Sequence, residues 1–231
     1  MAYVVLDLET TGLDSQQDTI IEVGALRFDH PRALQQTGAY AELQLLVNPG
    51  RALDPFVANL TGIQDADLAG QAGWTEVRPQ VQAFLSAPTT YFVAHNVEFE
   101  KSFLEQHGVD LSGLILLDTY DLAFMALPQV SQLNLEALCV RCGVDPGRSH
   151  RAYDDALATA KVFAGLLRQI EDLPDEILQQ LLAHSPCAGW GFREIWADLA
   201  ARRNLRKLDR DKPIALPRPL AAVQPGQPEP D

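Results

Sequence analysis

The stretch Val4–Leu13, VVLDLETTGL, decides the fold. It opens apolar, sets Asp7 and Glu9 two residues apart, and breaks at Thr10-Thr11-Gly12. In a strand, alternate side chains share a face. Tyr3, Val5, Asp7 and Glu9 are therefore expected on one side, and Val4, Leu6 and Leu8 on the other. A nearly continuous apolar run marks a central strand buried on both faces. Two carboxylates side by side at its end are costly unless something positive compensates them. A hard divalent cation prefers such oxygens. Taken alone, the stretch is equally compatible with two solvated charges where a strand meets its loop.

Working outward, residues 18–28 (DTIIEVGALRF) and 39–48 (AYAELQLLVN) read as a second and a third strand. Their short spacing predicts an antiparallel meander with the first. A short helix is expected over 55–60 and a longer amphipathic one over 74–85. Tyr91–His95 reads as a fourth strand leading into a helix over 96–107, and Leu114–Leu117 as a fifth. Helical segments follow near 119–126 and 134–142, then a long helix from Ala152 to Ile170. Three strands followed by alternating strands and helices predict an α/β fold, a mixed five-stranded sheet with flanking helices. Two further helices are expected, 175–184 and 191–204. The expected organisation is a core domain over 1–172, a C-terminal helical extension over 173–212 and a tail or linker over 213–231. That last stretch holds six prolines in 19 residues, which favours extended chain.

The composition, 47% hydrophobic and 21% charged over 231 residues, excludes wholesale disorder and allows one sizeable core. No apolar run approaches the roughly 20 residues that span a bilayer, and the first residues lack a signal-peptide pattern. The expectation is a soluble cytoplasmic protein with no membrane association. Cys139, Cys142 and Cys187 leave one cysteine unpaired in any disulfide scheme, which fits a reducing compartment. Cys139 and Cys142 follow the apolar spacing of a helix, and no second pair completes a zinc site, so they read as small core residues. The net charge of −13 argues against a broad basic grip on nucleic acid. It leaves open an enzyme that meets phosphates through bound metal ions and is helped to its substrate by a partner or tethered domain. The basic stretch Arg202–Lys212 reads either as a solvated helix end or as a nucleic-acid contact.

Three more positions can join Asp7 and Glu9. On the helix after the fourth strand, Glu100 shares its sector with Phe103, Leu104 and His107, whereas Glu98 lies opposite with Glu105. On the last long helix, Asp155 shares a face with Ala152, Thr159, Val162 and Leu166, and Asp154 with Lys161 and Arg168. Glu100 and Asp155 are thus the inward carboxylates. His150 and Asp155 would stand about 140° apart within one helix, so they converge only if His150 lies on the preceding loop. Asp145-Pro146-Gly147 supports a loop there. A histidine beside carboxylates suits proton transfer at neutral pH.

LDLETTGL, HNVEFEKSFL and HRAYDDALATA resemble, in order and spacing over roughly residues 1–170, the three motifs of the DnaQ-like, or DEDDh, 3′–5′ exonuclease family. The resemblance implies an RNase H-like fold in which Asp7, Glu9 and Asp155 hold two divalent metal ions, Mg²⁺ or Mn²⁺. It implies His150 as general base, and it makes Asp7, Glu9, Glu100, His150 and Asp155 the catalytic set. In that family the second motif carries Asp where this chain has Glu100, and the extra methylene moves the carboxylate by about 1.5 Å. The resemblance further places Thr10, Thr11, Gly12 and Leu13 against the 3′-terminal nucleotide, with His95 and Asn96 near it. Asn96 also suits a helix N-cap, and Asp118 a structural role.

The implied activity is hydrolysis from the 3′ end of single-stranded DNA, with RNA as an alternative, releasing nucleoside monophosphates in replication or repair. No residue of the constellation reads base identity. The competing expectation is a catalytically weakened or silent nucleic-acid-binding or interaction module on the same fold. LVNPG, LTGI and Trp190–Leu199 look most like exonuclease domains attached to DinG-type helicases, and next like the proofreading epsilon subunit of DNA polymerase III. A helicase domain or a polymerase subunit is accordingly the expected partner. No Walker A pattern occurs in the chain.

Overall fold

β1 (Ala2–Thr10) is the central strand of a five-stranded sheet, in a computed structural model that describes residues 2–31, 34, 40–86, 89–184 and 190–203. β2 (Ile20–Phe28) pairs with it antiparallel, and β3 (Ala41–Leu46) pairs antiparallel with β2. On the other side β4 (Thr89–Ala94) and then β5 (Ile115–Asp118) add in parallel, giving the order β3-β2-β1-β4-β5. The meander and the mixed sheet are as expected. The strand ends differ by a residue or two, because pairing partners and not propensity decide where a ladder stops.

The helices whose bounds lie among the described residues are α1 (Pro55–Thr61), α2 (Asp65–Leu68), α3 (Trp74–Ser86), α4 (Val97–Gln106), α5 (Thr119–Ala126), α6 (Leu135–Cys142), α7 (Ala152–Glu171), α8 (Asp175–His184) and α9 (Phe192–Arg202). The four-residue α2 carries too little periodicity to be foreseen. It is set by a capping box between Gln64 and Asp67.

The alternation in β1 sorts two cores. Tyr3 and Val5 pack with Ala158, Val162, Phe163 and Leu166 of α7. Val4, Leu6 and Leu8 pack with Val77, Val81 and Leu85 of α3 and with Phe103 and Leu104 of α4. Burying each such side chain contributes about 1.5–3 kcal/mol. A slip of β1 by one residue would turn Asp7 and Glu9 into the α3–α4 core, so register and site are fixed together. Leu178 of α8 and Phe192 and Trp196 of α9 join the α7 core.

Cys139 is buried and Cys142 half-buried on α6, both as free thiols, and Cys187 lies outside the described residues. Arg202 pairs with Asp198 and Arg203 with Asp175. The rest of the basic stretch and the proline-rich tail lie outside the described residues. Among the described residues no helix is long and apolar enough to cross a membrane.

Candidate active site

The carboxyl end of β1 delivers Asp7 and Glu9, both half-buried, to the α7 side of the sheet. The first turn of α7 delivers Asp155. One carboxylate oxygen from each of the three lies within 4.8 Å of the other two. Asp154, one residue away, turns aside and accepts from the backbone and side chain of Arg148. The two adjacent aspartates therefore separate by helical phase, as the sequence pattern requires.

His150 is exposed and precedes α7, with φ at 60°, a left-handed conformation uncommon for a residue with a side chain. Its backbone N–H donates to Asp155 Oδ2 at 2.8 Å. The loop position expected for the histidine is what lets it reach the aspartate five residues on.

Glu100 occupies the first turn of α4 and is 3% exposed. Its Oε2 is buried without a hydrogen-bond partner. Glu98 points to solvent and pairs with Lys101 at 3.0 Å. The inward and outward assignments on this helix hold.

Electrostatics mark the cluster. Burial, then Glu100, Glu9 and Asp155, hold the Asp7 pKa well above the usual carboxylate range. Burial and the Asp155 charge push Glu9 up to about 8. Burial, with lesser contributions from Asp118 and Glu9, pushes Glu100 up to about 8. Asp155 is raised by burial and partly restored by the His150 N–H. Four carboxyls with raised pKa values in one place favour a nearby positive charge.

β4 runs parallel to β1, so His95 and Asn96, just past its end, lie at the same edge of the sheet as Asp7. His95 Nδ1 is 2.8 Å from Thr119 Oγ1, and burial lowers its pKa. Asn96 stands at the N-cap position of α4, but with φ at 76° its side chain makes no capping bond. The capping expected of Asn96 is done by Asp118. Its carboxylate accepts from the N–H groups of Asn96 (3.0 Å), Val97 (3.0 Å) and Tyr120 (2.8 Å), tying the starts of α4 and α5 together.

In the turn after β1, Thr10 is buried and donates to the Gly12 carbonyl. The Thr11 hydroxyl donates to Asp18 at 3.0 Å and accepts from Thr19 N and Arg51. A Cβ on Gly12 would fall 2.3 Å from the Asp18 carboxylate. These three residues shape the turn, which leaves Leu13 86% exposed.

One residue escaped the sequence reading. Glu22 of β2 sits directly opposite Glu9, is 6% exposed and pairs with Arg151. The available signal was a lone carboxylate inside the apolar run IIEVGAL and an arginine immediately after His150.

A central strand and a helix start converge carboxylates at one end of a mixed sheet of RNase H-like architecture, with a loop histidine bonded to one of them through its backbone. The exonuclease family model matches residues 4–163, and the chain belongs to that family. DNA polymerase III PolC-type of Thermotoga petrophila is 34% identical over 190 residues, 76% of this chain and 13% of that protein. The 3′-5′ exonuclease DinG of Bacillus subtilis is 29% identical over 78% of this chain and 19% of its own length. DNA polymerase III subunit epsilon of Treponema pallidum is 31% identical over 72% of this chain and 77% of its own. The chain thus spans a small part of the first two relatives and most of the third. The nuclease domain of 3′hExo, a DEDDh family member, bound to rAMP, superposes with a TM-score of 0.60 at 17% identity, covering 72% of this chain and 92% of that one. Exonucleases of this kind use divalent metals, and the clustered carboxylates with the unpartnered Glu100 oxygen fit such ions.

Proposed function

We propose that the chain is a 3′–5′ exonuclease that releases nucleoside monophosphates from single-stranded or frayed 3′ ends of DNA in replication or repair, with Mg²⁺ or Mn²⁺ as cofactor. The observation that carries this is the meeting of Asp7, Glu9 and Asp155 within 4.8 Å, with the His150 backbone bonded to Asp155. Divalent ions, when bound, would supply activation of a water and charge stabilisation at the leaving oxygen. Asp7, Glu9 and Asp155 would hold them, with Glu100 in reserve beside Asp7 through its buried oxygen. His150, exposed on its loop, takes the proton from the attacking water. Its left-handed backbone lets one short segment present both the base and the Asp155 carboxylate.

Leu13, at the tip of the turn after β1, packs against the terminal base, and His95 and Asn96 flank the same nucleotide. No described group near the cluster offers a base-specific pattern, which supports action with little sequence preference. The net charge of −13 supports delivery to DNA by a polymerase subunit or a helicase domain and not by the chain's own field. The exonuclease unit spans 1–172, with 173–212 as a helical extension and 213–231 as a proline-rich tail or linker.

Degradation of a 5′-labelled single strand tests the proposal, with Mg²⁺ or Mn²⁺ against EDTA. A metal-dependent ladder that shortens from the 3′ end is expected on DNA, with RNA of the same sequence run beside it. Absence of product with either metal on both nucleic acids refutes it.

A further inference from the structure

We propose that Glu22, Arg151 and Gly24 form a latch that seats the start of α7 on β2 and so positions His150 and Asp155 against Asp7 and Glu9. The proposal rests on those four residues being the working site.

Register comes first. Glu22 and Gly24 are two residues apart on β2 and share a face, and they lie directly opposite Glu9 and Asp7. At Gly24 the backbone of α7 comes so close that a Cβ would fall 2.2 Å from Ala152 C and from Tyr153 N. Only glycine admits the helix at that spot. Asp155 begins one turn further on, its N–H bonded to the Arg151 carbonyl at 2.9 Å.

Glu22 supplies direction to the contact. Its Oε1 accepts from Arg151 Nη2 at 2.8 Å, and its Oε2 accepts from Ala152 N at 3.0 Å and from Arg151 Nε at 3.2 Å. Both oxygens are engaged, and Glu22 lies outside the Asp7, Glu9 and Asp155 group, so it is assigned a positioning role through its partners. A two-pronged guanidinium–carboxylate pair fixes orientation as well as distance. The segment it fixes is short: Arg151 is clamped to β2, and His150 immediately before it is bonded to Asp155. Freed from the clamp, the left-handed His150 backbone is left to the backbone N–H groups of His150 and Arg151 that bond Asp155.

The decisive variant is Glu22→Gln combined with Arg151→Met, which removes both charges, keeps the volumes and leaves an acceptor for Ala152 N. Arg151→Lys keeps the charge without the fork. Melting and far-UV circular dichroism establish that each variant is folded. For the double variant kcat is expected to fall about 10–100-fold with KM for the oligonucleotide within about twofold, and the Mn²⁺ affinity, read by titration without substrate, to weaken by a similar factor. Arg151→Lys is expected to recover part of both. A folded double variant with wild-type kcat and wild-type Mn²⁺ affinity overturns the latch. If the wild type proves inactive, the proposed function fails, and the Mn²⁺ titration alone still decides the latch.

Discussion

Replacing Glu100 by Gln is expected to stabilise the metal-free protein while impairing the enzyme. Glu100 is 3% exposed, one of its oxygens lacks a partner, and burial lifts its pKa from 4.5 to about 8. The unfolded chain ionises this carboxyl near 4.5. Across that window the folded state binds more protons than the unfolded one, so stability is full below about 4.5 and is lost as pH rises through about 8. At ~1.4 kcal/mol per pH unit the loss is capped on the order of 5 kcal/mol. Asp7 and Glu9 share the burden of unfavourable charge, so one side chain accounts for about 2 kcal/mol. Glutamine has the same shape and does not ionise. In EDTA at pH 8 the variant is expected to melt about 4–8 °C above wild type, with no such gap at pH 5. Millimolar Mg²⁺ is expected to raise the wild type at pH 8 and close the gap, because cations bind the folded state alone. A variant that melts at or below wild type at pH 8 in EDTA, or a gap independent of pH, refutes the reasoning.

His150→Ala is expected to lower single-turnover hydrolysis by about 10²–10⁴-fold, the usual contribution of a positioned base. Its melting point and Mn²⁺ uptake are expected to match wild type, since the side chain is exposed and the N–H to Asp155 remains. Asp118→Ala removes the acceptor shared by the starts of α4 and α5. A loss of about 2 kcal/mol, seen as a melting point lower by about 4–8 °C, is expected, with Asp118→Asn recovering part of it.

The carboxylates were legible in the sequence because each rests on a local period. Alternation in β1 places Asp7 beside Glu9, and helical phase separates Glu100 from Glu98 and Asp155 from Asp154. The loop before α7 was legible from Asp145-Pro146-Gly147, and with it the reach of His150. What escaped depends on pairing between distant segments. Glu22 matters because β2 pairs with β1 in the one register that sets it against Glu9, and because Arg151 arrives from the far end of the core. No period within IIEVGALRF carries that information. Gly24 likewise looks like a weak point in a strand until α7 is seen lying on it. The capping of α4 went to Asp118 and not to Asn96, since a carboxylate one strand away reached both N–H groups.

Counting Mn²⁺ ions per chain, by electron paramagnetic resonance titration of wild type and Asp7→Asn with a nucleoside monophosphate present, tests the metal centre most directly. Two ions per wild-type chain and fewer than one per Asp7→Asn chain are expected. Undiminished Mn²⁺ uptake by Asp7→Asn would contradict a metal centre built on the end of β1.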